Sequence, residues 1–487
     1  MFLTFSSFAY ANVQGDYYDF VLPNGYEEIE EENQLIVRSF VSENNKLKIY
    51  NQQLAKTSYR SYIDYSNQQL YLGKANFQVV KREKKLISGF TVDLITYKRP
   101  VLKNIENDQN YYIEGHIFDS KRNRAITVWG KTQEINQGLL RKDIEDIFRN
   151  FKFTNNGLRF AHSYPFYGDS KEIKLVGDSL ELIIPKDKLL WGRFFPGYPF
   201  YDNSAENMAR SEKLLDHRFE FIMTYKNFPL AAPFPIEDLR EVYKDGRVAM
   251  LTLQPFEKSL NWIAIPEFIE GQHDEKIIEL AVKLKSLNEP ILVRPLNEMN
   301  GDWDPWCTWF YGKDADLYIK AWQHIVDLMR EHGGDNIFFV WNPHDRSYPD
   351  FNWNNAHLYY PGDEYVDWVG LTGYNNGTSH PGDVWREFDN IYKPLYIDYL
   401  RRYSAKPFII TEFSTNEVGG DKAKWIENGF KSLAENYPNI KIAVWFDGQD
   451  GKWEYQINSS ERAHNSFSQG MKNPGFALNT VKAKLTK

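Results

Sequence analysis

From about residue 188 onward the chain repeats one pattern eight times: a short apolar run, then a longer stretch with helical spacing or a loop. The runs lie at 189–195, 219–224, 248–253, 291–296, 337–341, 368–372, 408–411 and 440–445. Each is too short for a helix and too uniformly apolar for a half-exposed strand, which is how a parallel strand buried on both faces reads. Helical spacing fills the gaps most clearly at 275–287, 316–332, 384–403 and 422–436. Eightfold strand-helix alternation predicts a (β/α)8 barrel over residues 188–487. A doubly wound open sheet would need a phosphate-binding glycine turn after its first strand. Trp191-Gly192-Arg193-Phe194 is not one.

A barrel of roughly 250 to 300 residues leaves room for a second module in a chain of 487. Residues 12–155 alternate in the strand manner, as in Tyr111-Tyr112-Ile113-Glu114-Gly115-His116-Ile117 and Ala125-Ile126-Thr127-Val128-Trp129. They close on 139–151, where Leu140, Ile144, Ile147 and Phe148 recur at helical spacing. The expectation is a mostly antiparallel sheet covered by one C-terminal helix, with no catalytic motif. Its role stays open between carbohydrate binding and structural anchoring. Residues 156–187, with turn signals at Asn155-Asn156-Gly157 and Tyr167-Gly168-Asp169, read as a linker. Residues 1–11 end in Ala9-Tyr10-Ala11, the small-x-small form of a signal-peptidase site, and predict export to the cell surface or beyond. No stretch approaches a transmembrane helix in length.

The net charge of −8 and pI near 5.8 argue against a nucleic-acid partner, which calls for clustered positive charge. A single cysteine, Cys307, excludes an internal disulfide. The ten histidines have no HExxH or comparable spacing, so neither a metal nor another cofactor is expected.

Two of the apolar runs end in a glutamate. Ile291 to Leu296 leads into Asn297-Glu298-Met299-Asn300-Gly301, and Phe408 to Thr411 leads into Glu412-Phe413-Ser414. The C-terminal ends of barrel strands are where such enzymes keep their chemistry. Retaining hydrolysis of a glycosidic bond needs two carboxyl groups about 5 to 5.5 Å apart, and strands four and seven face each other across a barrel mouth. In that reading Glu298 starts protonated as acid and later base, its pKa raised by the second carboxylate and an apolar wall, while Glu412 starts ionised as nucleophile. Arg294, four residues before Glu298, is expected to share its face and hydrogen-bond Glu412.

Three segments carry a family resemblance. Arg294-Pro295-Leu296-Asn297-Glu298-Met299-Asn300-Gly301 with Trp303-Asp304-Pro305-Trp306 resembles the strand-four signature of glycoside hydrolase family 26. Val366 to Asn375 resembles the family's strand-six segment, and Lys406 to Phe413 its strand-seven segment. The resemblance implies a retaining β-glycanase of clan A, with Glu298 as proton donor and Glu412 as nucleophile. It also implies that Tyr374 offers its phenol to Glu412. Asn297 stands where the clan commonly has an asparagine for the sugar 2-hydroxyl; family 26 mannanases typically have histidine there, so mannan is not singled out as substrate.

Thirteen of the 14 tryptophans lie between Trp191 and Trp453. Indoles stack on the apolar faces of pyranose rings. Trp303, Trp306 and Trp445, which follow strands four and eight at the loop end, are the candidate subsite platforms. Trp322, Trp385 and Trp425 are expected to pack from helices and Trp368 from a strand, while Trp341 reads equally as platform or core. Together these readings predict a secreted retaining endo-β-glycosidase acting on a β-linked polysaccharide or oligosaccharide: mannan, β-glucan, xylan or an exopolysaccharide. The alternative is a non-catalytic carbohydrate-binding or cell-surface scaffold barrel. Oligomeric state is not encoded in any of these features.

Overall fold

The computed structural model of the protein describes residues 11–29, 37–71, 76–155, 170–228, 234–256 and 264–484. The first ten residues of the expected signal segment and residues 156–169 of the expected linker lie outside them. Eight parallel strands close on themselves: Leu189–Phe194, Phe221–Asn227, Val248–Gln254, Ile291–Pro295, Ile337–Trp341, Trp368–Asn375, Phe408–Thr415 and Ile440–Phe446. Strand one pairs with both strand two and strand eight, which abolishes the sheet edges. Strand two begins two residues later than the apolar run predicts and runs on through Tyr225 to Asn227, and strand six runs on to Asn375. The helix expected from 384 begins at Phe388, and Trp385 lies in the loop before it.

Part of the expected linker is ordered sheet. Ile173–Val176 and Leu180–Ile184 form a hairpin that pairs with the C-terminal strand Val481–Ala483. Glu289, just before strand four, caps it by accepting from the Ser179 and Leu180 amides at 2.7 and 3.1 Å.

The N-terminal domain is a seven-stranded antiparallel sheet with the helix Gln137–Arg149 laid across one face. Strand alternation sorts its side chains into two populations. Val92, Leu94, Ile113, Ile117, Ile126 and Val128 point to the helix and share a core with Leu140, Ile144, Ile147 and Phe148. Each such side chain contributes about 1.5–3 kcal/mol by leaving water. The helix lies so close that a Cβ on Gly115 would stand 2.3 Å from the Phe148 ring, so only glycine fits there. The intervening residues Ile95, Tyr97, Tyr112, Ala125 and Trp129 point the other way and join the barrel's own core. Both faces of this sheet are therefore buried, one by its helix and one by the barrel.

Candidate active site

Strand four supplies Arg294, which has no exposed surface, and then stops at Pro295. Leu296 and Glu298 both adopt left-handed backbone, at φ 49° and 55°. Such angles are costly for side chains larger than glycine and persist only where the surroundings impose them. Here the Glu298 amide donates to the Asn342 carbonyl at 2.7 Å, and the Glu298 carbonyl accepts from the Gly301 amide at 3.0 Å. The expectation that strand alternation aligns Arg294 with Glu298 thus reaches the right side by another route: a strained turn, not the strand, aims the glutamate.

Glu412 is aimed by a bulge. The register of strand seven shifts against strand six and strand eight around Thr411 and Glu412. Both residues consequently face inward: Thr411 bonds Asn342 Oδ1 at 2.9 Å while Glu412 meets Arg294. Bulges beside active sites commonly redirect a side chain in this way. Arg294 donates Nη2 to Glu412 Oε1, and Tyr374 donates its hydroxyl to Oε2 at 2.5 Å. The guanidinium is fixed in turn by Thr252 Oγ1 at 2.9 Å and Asn342 Oδ1 at 2.8 Å. Burial works against the charge of Arg294, and Glu412 with its neighbours more than offsets this, leaving the guanidinium pKa raised.

Glu298 has a different environment. Burial pushes its carboxyl up to about 7; Glu412 and Asp345 push the same way, against His344 and Arg294. Asn300 fixes His344 through two bonds, donating to its carbonyl at 3.0 Å and accepting from its amide at 2.9 Å. Two groups absent from the sequence reading join the pair. Asp304 has a carboxyl held well above its usual range by burial and then by Glu298 and Glu412. Tyr225 places its ring 5.7 Å from the Arg294 guanidinium, and burial followed by Glu412 raises its phenol. Tyr225 was hidden because strand two outlasts its apolar run. The only signal for Asp304 was its place in the motif after strand four.

The tryptophans divide. Trp303 is 41% exposed, edge-on to His344 and Tyr348 at 5.3 Å each. It folds over Gly301, where a Cβ would lie 2.7 Å from the indole. Trp306 and Trp445, expected as platforms, are fully buried. Trp306 points beneath the loop, donating to the Asn297 carbonyl at 2.5 Å and packing on Phe256. Trp445 faces the helices, against Phe413, Trp425 and Phe467. By strand alternation the next residue, Phe446, takes the inward place, among Phe194, Tyr374 and Tyr455. Trp341 is core, as are Trp322, Trp368 and Trp425. Asn297 is 3% exposed, and its Oδ1 has no hydrogen-bond partner among the described residues.

A closed eight-stranded barrel with a high-pKa carboxyl after strand four and a doubly hydrogen-bonded carboxylate on strand seven has the layout of a glycoside hydrolase. Residues 268–459, within this barrel, match glycosyl hydrolase family 26. Endoglucanase H of Acetivibrio thermocellus is 33% identical over 260 residues, covering 53% of this chain and 27% of that protein. A mannan endo-1,4-beta-mannosidase of Bacillus subtilis (strain 168) is 28% identical over 202 residues, covering 40% of this chain and 48% of that protein. The chain thus spans between about a quarter and a half of these relatives. A solved family 26 β-mannanase from Bacteroides ovatus superposes with a TM-score of 0.46 at 16% identity, covering 60% of this chain and 90% of that one.

Proposed function

We propose that this protein is an exported endo-β-glycanase that cleaves by double displacement with retention. The observation that carries the reading is the contrast within the pair: Glu298 raised to about 7, and Glu412 held on both oxygens by Arg294 and Tyr374. In the first step Glu412 attacks the anomeric carbon, the glycosidic bond breaks, and Glu298 gives its proton to the departing oxygen. Esterification removes the charge of Glu412, one of the groups that raise Glu298. Glu298 can then take a proton from water, which attacks the same carbon and releases Glu412. Asn297, with its unpartnered Oδ1, is assigned to the sugar 2-hydroxyl, a bond that strengthens in the transition state. Trp303 is the platform for a neighbouring sugar.

The substrate class is a β-linked polysaccharide. The relatives' names divide between an endoglucanase and a mannan endo-1,4-beta-mannosidase, so β-glucans and mannans are the first to try, with xylans and exopolysaccharides beside them. Reducing-sugar release from such a panel, with Glu412→Ala as control, tests the reading. Release by wild type alone supports it. Equal release by both proteins excludes Glu412 as nucleophile, and no release from any glycan favours a binding scaffold.

A further inference from the structure

The loop between the strained turn of strand four and the helix Ala315–His332 carries Trp303 and Asp304, and the N-terminal domain grips it at both ends and in the middle. At its start Tyr65 donates to Asp302, the residue before Trp303. In the middle, Trp309 Nε1 donates to the Tyr65 carbonyl at 3.1 Å. At its end Gly312 and Lys313 both take left-handed backbone, at φ 64° and 63°. The Gly312 carbonyl lies 2.9 Å from the Tyr97 hydroxyl and 3.2 Å from Trp129 Nε1.

The grip at that end is ionic and dry. Lys313 reaches into the sheet, with Nζ 2.7 Å from Glu114 and 2.9 Å from Asn67 Oδ1. Asp314 receives Lys131 at 2.9 Å and the Tyr112 hydroxyl at 2.9 Å. Glu114 has no exposed surface. Burial alone would raise its carboxyl, but Lys313 and His116 hold it at about 2. Tyr112, Glu114 and His116 sit at every second position of one strand, so the period of two directs all three at the barrel. A module tethered only to bring an enzyme to its polymer has no need of buried charges shared with a cleft loop. Breaking such a pair leaves an uncompensated buried charge, so the contact is rigid once made.

We propose that the N-terminal domain is a positioning element of the substrate cleft: its barrel-facing side chains hold the loop after strand four, and with it Trp303, in the geometry that binds the sugar chain. The proposal rests on the glycanase reading above, and the test separates the two. Full-length Tyr65→Phe and Glu114→Gln are compared with wild type by hydrogen exchange and by kinetics. Tyr65→Phe, which removes only a partly exposed hydroxyl, serves as the variant whose folding is secure. In both, amide exchange within residues 302–314 is expected to rise about tenfold or more, the scale of a lost bond to a charged group, while residues 45–53 and 124–132 keep their protection. KM on the polymer should rise by roughly tenfold, short of the 10²-fold that a 1 Å misplacement at the reacting centre can cost. kcat on an activated aryl glycoside that stops at the cleavage point should hold. Unchanged exchange in 302–314, or a fall in melting temperature with both kinetic constants on the polymer intact, overturns the proposal. Inactivity of wild type on every glycan, with the loop exchange still responding, overturns the glycanase reading instead.

Discussion

The two ends of the candidate site are built on opposite principles. Glu298 rides a strained turn, half-open to the mouth, in a loop that also carries an exposed indole. Glu412 sits on a bulged strand, 5% exposed, with a donor on each carboxylate oxygen and the buried Trp445 in the wall behind its strand. Burial raises the carboxyl of Glu298, whereas Glu412 is held by a donor on each oxygen. In the double displacement proposed above, the first serves as acid and the second as nucleophile. The two side chains are identical, and the backbone at each strand end gives them their different surroundings.

The sharpest way to break the comparison is to delete each carboxyl in turn. Glu412→Ala should lower kcat by roughly 10⁴-fold or more on every substrate, as loss of a nucleophile does in other covalent enzymes. Glu298→Ala should be nearly as severe on polysaccharide but mild in the first step for an aryl glycoside whose leaving group needs no proton. Azide should then restore turnover and give a β-glycosyl azide. If azide restores a β-product to the Glu412 variant and nothing to the Glu298 variant, the two assignments exchange.

Next in size is the contrast among tryptophans. Trp445→Ala and Trp306→Ala remove side chains with no exposed surface and should each cost about 3–5 kcal/mol of stability, read as melting temperature or denaturant midpoint. A loss under about 1 kcal/mol for either would mean that its indole is not packed as described.

The raised carboxyl of Glu298 makes a smaller prediction about pH. A buried carboxyl whose folded pKa exceeds its unfolded value penalises the folded state as it ionises, so the penalty grows from pH 4.5 to about 7 and is complete above. Glu298→Gln should therefore be more stable than wild type at pH 8, by on the order of 1–3 kcal/mol, and equal to it near pH 4. The same titration should set the alkaline limb of kcat/KM near pH 7. A limb that survives unchanged in a variant with Glu298 replaced would belong to another group, with Asp304 the first to examine.

Smallest is Trp303→Ala. It should weaken oligosaccharide binding by about 1–3 kcal/mol while leaving the melting temperature within a degree or two, because its face is open when the site is empty. A large drop in melting temperature with KM unchanged would make Trp303 structural and return the strand-four loop to the core.

The repeated apolar runs were sufficient to place all eight strands, because a strand buried on both faces has no other sequence form. The glutamates were legible for the same reason: a charged residue ending such a run has few places to be except the mouth. What lay beyond the sequence were directions and distant partners. Trp306 and Trp445 follow strands four and eight at the loop end as Trp303 does, and only the path of the loop and the phase of the strand turn them inward to the core. Left-handed backbone at Glu298 and the bulge at Thr411 go with pairing to neighbouring strands, which no local pattern records. Lys313 and Glu114 stand 199 positions apart in the chain, and their pairing exists only because a closed barrel brings its strand-four loop against the sheet. Periodicity is a local property and survives in the sequence; the contacts that aim and tune a charged group are made by whichever elements the closed fold brings beside it.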